Sequence, residues 1–149
     1  MNQSELLLLL DRLLIESKSA LMTTVSAEHR PLSRWMTIRT MRNRPGFLYC
    51  VCRKNAKKVA HVAANPYVSF LVQDKALTEI LTVAGTASII DSPTLIAEFL
   101  ETAGKDVFVI WQQSPPPRTS DLTIIETKIE DINHFQPMTG ESLDYKIAQ

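Results

Sequence analysis

The 149 residues carry 16 Lys+Arg against 16 Asp+Glu, a formal net charge of zero, and 45% of them are hydrophobic. Such a chain fits one domain with a real core, which excludes general disorder, and the zero balance excludes a surface that attracts polyanions throughout. The total conceals a segregation. Nine of the sixteen basic residues stand between positions 29 and 73, where there is no Asp or Glu, leaving seven with all sixteen acidic residues elsewhere. A +9 third is set against a −9 remainder, and where that third points is the functional question.

Taken in chain order, residues 4 to 18 read as an amphipathic helix. Ser4 is the expected cap, Glu5 suits the positive end of the dipole, and Leu6, Leu9, Leu10, Leu13 and Leu14 recur at helical spacing. β-branched residues make 20 to 26 a strand, and 27 to 31 its turn. Strand character resumes over 32 to 41, with Trp35, Thr37 and Arg39 on one face and Arg34, Met36 and Ile38 on the other. Asn43-Arg44-Pro45-Gly46 is a turn, followed by a strand over 47 to 52, so a hairpin is expected.

The period changes at 55 to 64, where Val59, Val62 and Ala63 share a helical face and Asn65-Pro66 stops the helix. Its first turn holds Lys57 and Lys58, which the dipole disfavours unless an anion sits there. Strands follow over 67 to 72 and 79 to 90, with Gly85 marking a bulge or a close approach. Asp91-Ser92-Pro93 starts a third helix and Gly104 is its expected stop. Residues 108 to 111 are short and apolar, Ser114-Pro115-Pro116-Pro117 is a loop, and 122 to 135 form the last long strand. The sum is a mainly β (α+β) domain, a six- to seven-stranded antiparallel barrel with flanking helices. It is one domain over 1–149: a helix to 19, the barrel over 20–135 and a tail over 136–149.

The leucine run at 6 to 10 is interrupted by Asp11 and Arg12, lacks a basic flank, and is too short to span a bilayer, which needs about 20 apolar residues. Cys50 and Cys52 fall on one face of a strand, a poor disulfide geometry, and two thiols cannot close a zinc site, so no metal is expected. Reduced thiols fit the cytoplasm. There is no Gly-rich phosphate loop, nucleophile elbow or paired-histidine helix. His29, His61 and His134 are scattered and read as surface or half-buried residues, and Trp35 and Trp111 as packing residues.

The basic third admits two uses. Interleaved aromatics (Trp35, Phe47, Tyr49, Tyr67 and Phe70) allow a nucleic-acid surface, but cations on one strand beside a helix N-terminus suit one compact anion better. Arg34, Arg39, Lys57 and Lys58 are the candidates; Arg42, Arg44 and Arg53 lie near turns and are expected to be exposed.

The order of these pieces carries a resemblance. A strand with Arg30-Pro31-Leu32-Ser33-Arg34, a hairpin, the Lys57-Lys58 helix, Asn65-Pro66 and the Val68-Ser69-Phe70-Leu71 strand together resemble the pyridoxamine 5'-phosphate oxidase-like, flavin-binding split-barrel superfamily. The likeness runs from about 20 to 88 and is greatest to its small members, such as general stress proteins. It implies an antiparallel split barrel, a homodimer, and FMN at the subunit interface. Carried over by position, it assigns Arg34, Lys57 and Lys58 to the phosphate and Arg39 to the ring or ribityl chain, with Trp35, Met36, Thr37, Cys50 and Val51 lining the flavin. The family's neutral polar partners are missing at Cys52, Ala56 and Ile80, and Lys57 replaces an arginine, giving a point charge in place of a fork. The C-terminus, from Asp144 to Gln149, lacks the family's Trp and Arg segment, so pyridoxamine oxidation is not expected.

The function so implied is a flavin-dependent oxidoreductase of a small molecule, with a nicotinamide as candidate electron donor. A non-enzymatic flavin or stress-response protein and a deazaflavin-dependent reductase are the alternatives. Haem is disfavoured without a histidine pair, and a single-stranded nucleic-acid module is the remote alternative.

Overall fold

The leucines of the first segment dictate where it goes. α1 (Gln3–Ser17) buries Leu6, Leu9, Leu10, Leu13 and Leu14, none more than 8% exposed, in the main core, while Leu8 faces outward. Each buried leucine is worth about 1.5–3 kcal/mol over an exposed one. The cap is Asn2, not Ser4. Asn2 Oδ1 accepts from the Glu5 N–H at 2.8 Å and Asn2 Nδ2 donates to Glu5 Oε1 at 2.9 Å, so the two residues satisfy each other. Lys18, at φ 66°, ends the helix in the left-handed conformation.

The computed structural model describes residues 1–111 and 118–149, the side chains at 105 and 108–111 excepted. The loop expected at Ser114-Pro115-Pro116-Pro117 and the side chain of Trp111 lie outside the described residues. Seven strands, β1 (Ala20–Val25), β2 (Pro31–Met36), β3 (Phe47–Arg53), β4 (Tyr67–Gln73), β5 (Ile80–Ile90), β6 (Leu122–Gln136) and β7 (Glu141–Lys146), form one antiparallel sheet. Its order is β2-β1-β4-β5-β6-β3, with β7 also on β6. The sheet is not closed: β2 and β3, at its two ends, are not paired, and the crossover after β2 touches β3 through the isolated bridge Arg39–Tyr49, with N···O distances of 3.0 and 2.8 Å. Helix α2 (Lys57–Ala64) follows β3, and α3 (Pro93–Trp111) follows β5. The expected mainly β architecture with flanking helices is what the chain forms.

β3 separates two cores because its side chains alternate. Leu48, Cys50 and Cys52 point into the barrel core beneath α1, whereas Tyr49 and Val51 pack under α3 with Ile96, Phe99, Ala103 and Val107. Gly85 marks the one register shift between β5 and β6, and a Cβ there would stand 2.2 Å from the carbonyl oxygen of Lys128. Only glycine permits that approach.

Three expectations change. The strand expected over 32–41 ends at Met36, because the chain there leaves β1 to cross toward β3, and the hairpin expected with 47–52 is reduced to the Arg39–Tyr49 bridge, since β2 pairs with β1 and β3 with β6. Met36, Thr37, Ile38 and Arg39 are consecutively buried, so the alternation of faces expected beyond Met36 is lost. α3 runs through Gly104, and residues 108–111 are its last turn. Ile96, Phe99, Ala103 and Val107 continue one apolar stripe across the glycine, and that packing outweighs its poor propensity of about 1 kcal/mol. The tail folds back as β7, a mostly exposed edge strand that the alternation of Leu143, Tyr145 and Ile147 with Asp144 and Lys146 could have signalled. A turn at Gly140, φ 72°, starts it, and Gln3 ties its end down through both backbone groups of Ala148.

Candidate functional site

Cations gather at the junction of β1, β2, β3 and α2. Arg34 sits opposite Met22 in the β1–β2 ladder and turns its guanidinium inward. Its Nη1 donates to Thr24 Oγ1 at 2.8 Å and to the Met22 carbonyl at 3.4 Å. Both partners are neutral, and no carboxylate pairs with Arg34 among the described residues. Burial lowers the Arg34 pKa below the ordinary arginine value, with Cys50 and Cys52 acting weakly the other way. Thr24, fully buried, also bonds His61 Nδ1 at 2.8 Å.

Helix α2 brings the second set. Ala56 caps it without a side-chain hydrogen bond, so its first N–H groups keep no side-chain acceptor, and its first two residues are Lys57 and Lys58. Lys57 is exposed and Lys58 half-buried. Lys58 and Arg34 both act on the two thiols of β3. Burial pushes Cys50 and Cys52 well up from the ordinary thiol value, and the two cations pull them partly back. The thiols are free, neutral and inward-facing, so they form an unreactive floor under the charges.

The structure therefore brings together Arg34, Cys50 and Lys58 of the expected set, and adds Cys52, Thr24 and His61. Lys57 opens α2 beside them, exposed, and the other five do not gather there. Trp35 points to the opposite face of β2 and is 58% exposed. Met36 belongs to the barrel core, and Val51 packs beneath α3. Thr37 is buried, and its Oγ1 has no hydrogen-bond partner. Arg39 is 4% exposed and its guanidinium is engaged by Asp106 of α3, the carbonyl of Leu14 at 3.1 Å and that of Ile38 at 2.9 Å.

His61 and His134, read from sequence as surface or half-buried, are 9% and 6% exposed, and each is bonded, to Thr24 and to Glu79. A usable signal for His61 was its place one turn beyond Lys58 on the same short helix. Arg44 is not simply exposed: it pairs with Glu126 at 3.1 Å, and both meet the Tyr49 hydroxyl. Clefts of about 500 Å³ lie elsewhere, one between the end of α1, Trp35 and β4, the other between residues 40–44 and α3. No group of three or more His, Cys, Asp or Glu among the described residues could hold a metal ion, and no helix there is long and apolar enough to cross a membrane.

An open antiparallel barrel with a cationic corner at a helix N-terminus defines a class that comparison makes specific. The family model for pyridoxamine 5'-phosphate oxidase matches residues 9–136, so the chain belongs to that family. General stress protein 26 from Bacillus anthracis str. Sterne superposes with a TM-score of 0.68 at 20% identity, covering 95% of this chain and 99% of that one. A pyridoxamine 5'-phosphate oxidase-related, FMN-binding protein from Nostoc punctiforme gives 0.61 at 14%, covering 98% and 95%. An F420 reductase gives 0.65 at 20%, covering 82% and 94%. No curated protein matches the sequence.

Proposed function

We propose that this chain binds FMN and works as a flavin-dependent oxidoreductase on a small molecule. The observation that carries the reading is the convergence of Arg34 and Lys58 on Cys50 and Cys52 beside an uncapped helix start, with no carboxylate on Arg34. A half-buried guanidinium with only neutral partners retains its full charge for an anion. The residues fit the phosphate end of FMN: Arg34 and Lys58 supply charge, Lys57 adds a solvated one, and the first turn of α2 supplies N–H donors. At the other end, the unpartnered Thr37 Oγ1 lies in the stretch that would line the ring.

When bound, the flavin ring supplies the hydride or electron chemistry, and the protein supplies position and electrostatics. The chain's own part is to neutralise the phosphate, to exclude water with the core residues Met36 and Cys50, and to hold residues 35–37 as one wall. In this reading Arg39 acts as a strut, leaving the ring to backbone groups. The outer face of β1, β2 and β4 presents Leu21, Trp35 and Leu71 as cross-strand neighbours, an apolar patch suited to a second copy. The protein as a homodimer, with each flavin at the interface, completes the reading.

The test is an absorbance spectrum of the purified protein before and after adding FMN, followed by addition of a nicotinamide donor. Flavin bands and their bleaching support the oxidoreductase; a protein that stays colourless with added FMN refutes it. Bound flavin that no donor bleaches supports the storage alternative, and uptake of a deazaflavin in preference to FMN supports the reductase whose fold it shares.

A further inference from the structure

Thr24 and His61 are buried polar side chains at the cationic corner, at 0% and 9% exposure, and the charges alone do not explain them. The Thr24 hydroxyl sits between two nitrogens, Arg34 Nη1 and His61 Nδ1, each at 2.8 Å. Valence decides the direction of both bonds. A hydroxyl has one proton and two lone pairs, and a guanidinium only donates. Arg34 therefore uses a lone pair, and the single hydroxyl proton goes to Nδ1. The network thus assigns His61 Nδ1 as the acceptor and places the ring hydrogen on Nε2. The reverse, with Nδ1 donating, would leave the hydroxyl proton buried without an acceptor.

We infer that His61 is a positioning residue for the anion site: through Thr24 it fixes the Arg34 guanidinium relative to the first turn of α2. His61 and Lys58 are three residues apart on that helix and so lie on neighbouring turns of one face. The relay therefore links the strand cation to the helix cation across β1. Val62, buried in the barrel core with Val59 packed against it, seats the helix, and the relay adds a directional polar link from its face to β2. A phosphate held by two charges on different elements is sensitive to that distance, since each charge-assisted hydrogen bond needs its own geometry.

The inference rests on the FMN reading, and one titration separates the two. FMN is titrated by fluorescence quenching into wild type, Thr24→Val, Thr24→Ser, His61→Leu and His61→Asn, with riboflavin, which lacks the phosphate, in parallel. Valine keeps the shape of threonine without its hydroxyl, serine keeps the hydroxyl, and asparagine places an acceptor oxygen near the position of Nδ1. Thr24→Val and His61→Leu are expected to raise the Kd for FMN about five- to tenfold, the effect of one lost hydrogen bond. Thr24→Ser and His61→Asn should return it to within about twofold of wild type, with riboflavin affinity the same in every variant. Unchanged FMN affinity in Thr24→Val and His61→Leu overturns the inference. So does an equal loss for riboflavin, which marks a general loosening of the barrel. If Thr24→Val does not fold, the His61→Leu and His61→Asn pair decides alone. A wild type that takes up no FMN refutes the flavin reading itself and takes the relay's role with it.

Discussion

Arg34 and Arg39 lie five residues apart in one basic stretch and have opposite fates. Arg34 is on the body of β2, half-buried, and bonded only to a hydroxyl and a carbonyl. Arg39 is on the crossover between β2 and β3, 4% exposed, and paired with Asp106. The first keeps a charge that a ligand can use. The second has spent its charge inside the protein, where it joins α3, the end of α1 and the crossover. A basic residue is thus a candidate binder because of what does not neutralise it, and sequence spacing alone is silent on that.

The largest effect that tests this contrast is on stability. Arg39→Met strips Asp106 of its partner; removing one member of a buried pair costs about 3–5 kcal/mol, and the lower end applies because Asp106 is 26% exposed. Urea denaturation should show that loss for Arg39→Met and no more than about 1 kcal/mol for Arg34→Met. Similar losses would erase the distinction between strut and binder.

Next in size is FMN affinity. Lys58→Ala should raise the Kd at least about tenfold, as expected for a lost charge-assisted hydrogen bond. Arg44→Ala, whose guanidinium is already held by Glu126 and Tyr49, should stay within about twofold. Equal effects on the two would move the pocket away from α2.

The smallest effect sits on the crossover's partner. Tyr49 bridges Arg39 through its backbone, and burial, with the Glu126 carboxylate accepting its hydroxyl proton, pushes its pKa up to about 12. The unfolded phenol loses its proton near the ordinary value of about 10, so between those values the unfolded state binds fewer protons. Stability is therefore undiminished below about pH 10 and falls as pH rises toward about 12. Tyr49→Phe should flatten that part of the pH dependence of Tm; an unchanged slope would show that the hydroxyl is not held as described.

Much of this was legible along the chain. α1, β1 with its turn into β2, α2 and Gly85 follow from apolar periodicity, turn residues and the requirement for a residue without a Cβ. These are local signals, carried by neighbours within one or two turns. Gly104 misled for the same reason: its neighbours alone suggest a stop, but the stripe from Ile96 to Val107 needs β3 and β6 to pack against. β7 was missed although Leu143, Tyr145 and Ile147 alternate with charged residues, because the segment is short and its partners, the edge of β6 with Asn133 and Asp131 and the core that takes Ile147, meet it only in the folded chain.

The site divides in the same way. By itself the sequence determined that an acid-free third holds the cations, that Cys50 and Cys52 share a face, and that two lysines open a helix; each of these depends only on composition or on the period of one element. Only the tertiary structure decided that Arg34 and Lys58 meet, that Asp106 claims Arg39, and that Thr24 and His61 stand between strand and helix. Those outcomes depend on partners 10 to 67 residues away. Hydrogen bonds and charges act over a few ångströms, so their pairing is settled only when folding has placed the elements.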